Sequence, residues 1–206
     1  MKKAFPVACL TLALIVLVWS AINPKEYLTW LLEAAPGIIG IIILVLTYKR
    51  FRFSNFLYVL ILVHCCVLFV GGKYTYAENP LFDYLKGVFG WQRNNYDKVG
   101  HFAQGFIPAL LSRELLLRLK VITNKKWMFF IAMTIVMFIS SIYELIEWGT
   151  SLLLGQSADQ FLGTQGYVWD TQSDMLFALI GSLGALILFS SLQDRIIKAM
   201  EENRNP

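Results

Sequence analysis

Tyr96-Asp97-Lys98-Val99-Gly100-His101 opens an apolar segment with a carboxylate, an ammonium group and one of the chain's two histidines. If that segment crosses a bilayer, these groups must be paired, solvated or used, because a charge within hydrocarbon costs about 2.5–3.5 kcal/mol even on lenient insertion scales. The surrounding composition decides in favour of the bilayer. Of 206 residues, 57% are hydrophobic and 16% charged, against about 25% charged in soluble domains, and the mean hydropathy is +0.57. The apolar runs leave no stretch long enough for a separate soluble domain, so residues 1–206 read as a single integral membrane domain, all-α and polytopic. Basic residues stand in short clusters between those runs and no groove-binding motif occurs, so nucleic acid is not a partner.

Working outward from Tyr96, the segment continues as a span over about 99–117. Two further spans follow, at about 127–154 and 172–192, and three precede it, at about 5–22, 28–47 and 55–71. That makes six transmembrane helices, each near the 20 residues that cross some 30 Å of hydrocarbon. Lys2-Lys3 ahead of the first run resembles a signal peptide, but no small-x-small cleavage site follows, and the run is read as a retained helix. The longest connection, from Gly72 to Lys98, is rich in aromatic residues. Within it Leu81, Phe82, Leu85, Val88 and Phe89 recur at helical spacing, which predicts a short helix lying in the headgroup region before the fourth span. Cys9, Cys65 and Cys66 all lie in apolar runs and imply no disulfide framework.

Sidedness follows from the basic clusters. With the N-terminus inside, the cytoplasmic segments carry 2, 3, 4 and 3 Lys/Arg and the outer ones 1, 4 and 0, so both termini are expected to be cytoplasmic. Trp19, Trp30, Trp91, Trp148 and Trp169 then fall near the outer boundary as an aromatic belt.

The ionisable residues within the spans now acquire a depth. Asp97 and His101 open the fourth span at the outer face, Asp170 and Asp174 open the sixth, and, with the fifth leaving the hydrocarbon near Thr150, Glu144 and Glu147 lie about 9 and 5 Å below that boundary at 1.5 Å per residue. Asp97, His101, Gln104 and Pro108 share one side of their helix, as do Ser140, Glu144, Glu147 and Ser151 on theirs. Asp170 and Asp174 lead into Ala178, Gly181 and Ala185, a stripe that admits a close neighbour. Simpler readings stand beside these. Asp97 and Asp170 are also good N-caps, His64 fits a core histidine, Glu33 an interfacial acid, and Arg113, Glu114 and Arg118 a snorkelling, i,i+4-paired group. Glu144 and Glu147 resist such a reading, because carboxylates one turn apart on a membrane helix repel each other.

The residues Tyr96 to Phe102, Arg113-Glu114, Tyr143-Glu144-Leu145-Ile146-Glu147-Trp148, Gly163-Thr164-Gln165-Gly166 and Trp169-Asp170-Thr171-Gln172 through Asp174 resemble the uncharacterised bacterial inner-membrane proteins of the YjdF type. More distantly, the Asp-Lys-x-x-His-Phe pattern, a helix glutamate and a late aspartate resemble the VanZ-like family. The first resemblance implies a multi-pass location in the bacterial inner membrane and no established reaction. It also implies an aspartate where this chain has Tyr167. The second implies an outer-face, cell-envelope context by analogy of fold.

Three functions fit this pattern. The first is an enzyme acting on a lipid or lipid-linked envelope precursor, with His101, Glu144, Glu147 and Asp174 as catalytic groups and Asp97, Gln104 and Asp170 as supporting or capping ones. The second is a cation- or proton-coupled binding or transport protein. The third is a structural membrane protein whose polar stripes lock helices together. Membrane lipids are partners in every case. No metal motif of fixed spacing occurs, though one histidine among carboxylates would suit a divalent cation such as Mg²⁺ or Mn²⁺. Oligomeric state is not written in the sequence.

Overall fold

The computed structural model describes residues 4–154 and 165–202, and these are all-helical, with no strands. Seven α-helices follow one another: α1 (Ala4–Ala21), α2 (Tyr27–Thr47), α3 (Asn55–Tyr74), α4 (Pro80–Phe89), α5 (Tyr96–Arg118), α6 (Lys125–Leu154) and α7 (Asp170–Glu202). Five of them, α1, α2, α3, α6 and α7, are long and apolar enough to cross a membrane. At 23 residues α5 has the length, but 13 of its residues are buried and they include Asp97, Lys98, His101, Arg113 and Glu114. Its charges therefore face neighbouring helices, the orientation expected of ionisable groups at membrane depth.

The helix ends follow local chemistry. Glu26 caps α2, its carboxylate accepting from the Leu28 and Thr29 N–H groups. Ser54 caps α3. Asn79, a proline at the first turn and Gly90 in the left-handed conformation delimit α4, a sequence of signals that starts and stops a short helix. The helix predicted from the Leu81 to Phe89 periodicity is thus present, with Leu81, Val88 and Phe89 exposed.

Helices α1, α2 and α3 form one group, and α5, α6 and α7 another, with α3 against α5 joining them. The tightest seam is between α5 and α7. A Cβ on Gly105 would lie 1.9 Å from the Ala178 carbonyl oxygen, and one on Gly181 would lie 2.2 Å from that of Phe102. Only hydrogen at both positions lets the two backbones touch. Buried Ala178 and Ala185 extend the same seam, as the small-residue stripe predicts. In the first group Ala13, Ala34, Ile41, Cys65, Leu68 and Phe69 make a common core, and Trp30 donates from Nε1 to Ser20 Oγ at 3.0 Å. The three cysteines are free thiols.

One expectation needs correcting. The apolar run ends the last span at about residue 192, yet α7 continues to Glu202. Gln193 is fully buried and donates to the Leu110 carbonyl at 2.7 Å, while Asp194 accepts from Arg113 at 2.6 Å. These bonds to α5 hold the extra turns in place.

Candidate functional site

The start of α5 is fixed from outside the helix. Asn94, fully buried, accepts from the Tyr96 N–H at 3.1 Å and donates to the Asn79 carbonyl and to Asp83, each at 3.0 Å. The Gln165 amide clasps the Asn94 backbone on both sides, accepting from its N–H and donating to its carbonyl, each at 2.9 Å. Asp97 thus sits inside the first turn and is not the cap, and its carboxylate is turned to other groups.

Those groups form an ion cluster. Lys98 Nζ lies 2.5 Å from Asp174, 3.2 Å from Asp170 and 3.3 Å from Asp97. Arg93, in the connection before α5, reaches Asp170 at 2.5 Å and Asp97 at 3.2 Å. Asp170 therefore pairs across helices as well. The Tyr167 ring stands over both cations, 5.4 Å from the Arg93 guanidinium and 5.9 Å from Lys98 Nζ. The negative face of an aromatic ring is a partial substitute for the carboxylate that the resemblance implies there. Gly163 and Thr164 of the same motif lie outside the described residues.

His101 joins this cluster to a cavity. Its Nε2 is 3.2 Å from Asp97 and 3.8 Å from Asp174, and its Nδ1 is 3.0 Å from Gln104 Oε1. The Tyr143 ring meets the imidazole edge-on at 6.3 Å. Below it a cavity of about 230 Å³ is lined by Asp97, His101, Gln104 and Glu147, and also by Glu33, His64, Tyr76, Tyr143, Pro36 and Pro108. The two prolines deprive the Leu32 and Gln104 carbonyls of their helical donors, which loosens α2 and α5 beside the same space.

Tyr76 is wedged in that wall by three features. Added Cβ atoms on Gly71 and Gly100 would fall 2.3 and 2.5 Å from its ring, so α3 and α5 can close on it only as glycines. Thr75, just before it, has φ +59°, a conformation that costs a β-branched residue about 1–3 kcal/mol. Burial, and then the nearness of Glu33 and Tyr143, pushes the Tyr76 phenol well above its ordinary range, so the group stays neutral.

Asp97, His101, Gln104 and Glu147 thus share the cavity, while Asp170, Asp174 and Glu144 are buried but do not line it. Spacing alone did not select Arg93, Lys98, Glu33, His64, Tyr76 or Tyr143 as members of the site. For Arg93 a signal existed, since it stands four residues before Asp97. For Glu33 the signal was an acid within an apolar run, three residues before a proline. Several polar atoms here lack hydrogen-bond partners: both Glu33 oxygens, one Glu144 oxygen, His64 Nε2 and the Ser140 hydroxyl. Such atoms are uncommon in folded proteins and each calls for a reason. Asp97, His101 and Asp174 each bring one donor atom within 4.8 Å of the others, close enough to hold a metal ion, although Lys98 and Arg93 already balance two of these acids.

The family model described as "Predicted membrane protein (DUF2238)" matches residues 5–195. The "Inner membrane protein YjdF" of Escherichia coli (strain K12) is 44% identical over 191 residues, covering 93% of this chain and 91% of that protein. No solved structure matches. With five helices long and apolar enough to cross a bilayer, the chain is a multi-pass inner-membrane protein in contact with membrane lipids, and it belongs to the predicted membrane protein family DUF2238.

Proposed function

We propose that this protein carries an acid–base site at the outer face of the inner membrane and acts there on a lipid or lipid-linked envelope precursor. In this reading α5 is a sixth span, both termini are cytoplasmic, and α4 lies in the headgroup region with Leu81, Val88 and Phe89 toward the acyl chains. Support for six spans comes from α5 itself, whose 23 residues reach about 34 Å at 1.5 Å per residue. Support for the sidedness is the clustering of Lys49, Arg50, Arg52, Arg118, Lys120, Lys125 and Lys126 in two short connections.

The observation that carries the reading is the placement of His101, within 3.2 Å of Asp97 and lining a cavity that also takes in Glu147. A histidine oriented by a carboxylate and facing a partly open cavity is the arrangement a general acid–base group needs. Asp97 and Asp174 orient the imidazole, Glu147 and Glu144 exchange protons with it, and Lys98, Arg93 and Asp170 hold the aspartates. A divalent cation at Asp97, His101 and Asp174 would have to compete with Lys98 and Arg93, so proton transfer fits the cluster better than metal activation. The test is turnover of labelled envelope lipids and lipid-linked precursors by the protein in nanodiscs. His101→Ala is expected to lower the rate by about 10²–10⁴-fold; equal rates for wild type and variant across the panel would sink the reading.

A coupled-transport reading draws on one observation, that the cavity reaches His64, midway along α3. Proteoliposome flux that vanishes in Glu144→Gln and Glu147→Gln would favour it.

A further inference from the structure

We propose that the cavity beside His101 is a binding site for an organic ammonium group, held by Glu33 and Glu147 against the rings of Tyr76 and Tyr143. Glu33 is 2% exposed, lines the cavity, and has no side-chain partner on either oxygen; the Tyr76 backbone N–H is the one donor of the chain directed at it. A buried carboxylate in that condition wants a donor from outside the chain. The cationic side chains nearby do not supply one. Lys98 is committed to Asp97, Asp170 and Asp174, and the Arg93 guanidinium to Asp97 and Asp170.

Volume and lining choose the kind of cation. About 230 Å³ is several times the roughly 30 Å³ that a water occupies in the liquid, far more than a bare ion needs. The one group of described residues close enough to hold a metal is Asp97, His101 and Asp174, and neither Glu33 nor Glu147 belongs to it. The cavity wall also includes Leu68 and Ile139, apolar surface that a hydrated ion would not use and that a short methylene stem would. Carboxylates with two phenol rings form the combination that recognises an alkylammonium by charge-assisted hydrogen bonds and cation–π contact. The ammonium can arrive as a free amine or as the headgroup of an amino-phospholipid. This site stands independently of the proposed lipid chemistry, because occupancy is read without turnover.

The experiment uses the full chain in phosphatidylglycerol nanodiscs, titrated with ethanolamine at constant ionic strength and read by calorimetry and intrinsic fluorescence. Saturable binding is expected, not reproduced by Na⁺ or Mg²⁺, and weakened at least about ten-fold by Glu33→Gln. Repeating the titration in phosphatidylethanolamine nanodiscs separates the sources. Loss of the signal there marks a lipid headgroup already in place, and its persistence marks a site for free amines. If Glu33→Gln cannot be purified folded, Glu147→Gln carries the same expectation. The proposal is overturned if ethanolamine does not saturate the wild-type protein in phosphatidylglycerol, if Na⁺ gives the same response, or if the glutamine variant binds as tightly as wild type.

Discussion

The two ends of α5 both bury charge, and they do it in opposite ways. At the C-terminal end Glu114 is fully buried. One of its oxygens accepts from the Ser54 N–H at 2.7 Å and from Arg118 at 2.8 Å, and the other accepts from the Ser54 hydroxyl at 2.7 Å. Arg113 is matched to Gln193 at 2.9 Å and to Asp194 at 2.6 Å. These groups lie within the bundle and do not snorkel from it, although the expected i,i+4 pair of Glu114 with Arg118 is present. At the N-terminal end the aspartates are equally well matched, but the acids behind them are not, and Glu33 has no side-chain donor. A satisfied network is what joining helices requires. Unsatisfied carboxylates at a similar level of burial do nothing for the joint, and their retention points to a ligand or a proton.

The same chemical change at both ends breaks or sharpens this contrast. Glu114→Gln puts an amide NH₂ against the donors of Ser54 and Arg118 and leaves the half-buried Arg118 guanidinium without its anion. Breaking a buried pair in this way is expected to lower stability by about 3–5 kcal/mol, read as a shift in the denaturant or thermal midpoint in detergent. A loss under 1 kcal/mol would mean that the network is not structural. The α5–α7 seam comes next in size. Gly181→Val places branched carbon where the Phe102 carbonyl already lies 2.2 Å from a Cβ position, so the helices must separate. The expected loss is about 1–3 kcal/mol. Because Gly105 and Gly181 hold α5 and α7 in register, ethanolamine binding and His101-dependent turnover should weaken as well.

How much of this was legible depended on whether the relevant contact lay along one helix or between several. The all-helical, multi-pass character of the chain followed from composition and run length, and Asp97, His101 and Gln104 followed from 3.6-residue spacing, because both signals are local. Arg93 carried the same i,i+4 signal but sat in a connection, where periodicity is not looked for. Glu33 reads as an interfacial acid until Tyr76, which follows α3 in the chain and is wedged between Gly71 and Gly100, closes the wall that buries it. The last ten residues of α7 were out of reach for the same reason, since Gln193 and Asp194 are helical through bonds to Leu110 and Arg113. Hydropathy likewise discounts α5, the helix with the most buried charge, because a window average cannot know which face those charges take.

Glu33→Gln is the smallest effect and the one that decides between the two ends. The substitution keeps the shape of the side chain, removes a carboxylate that no side chain in the described residues partners, and introduces an NH₂ that the cavity can accommodate. A group retained for function at a cost to stability should give that cost back when neutralised. Stability is therefore expected to stay level or rise by up to about 2 kcal/mol, opposite in sign to Glu114→Gln, while ethanolamine binding falls. Parallel denaturation of the two glutamine variants in one detergent makes the comparison. If Glu33→Gln lost as much as Glu114→Gln, Glu33 would be a structural acid with a partner formed in the membrane, and the distinction between the two ends of the bundle would disappear.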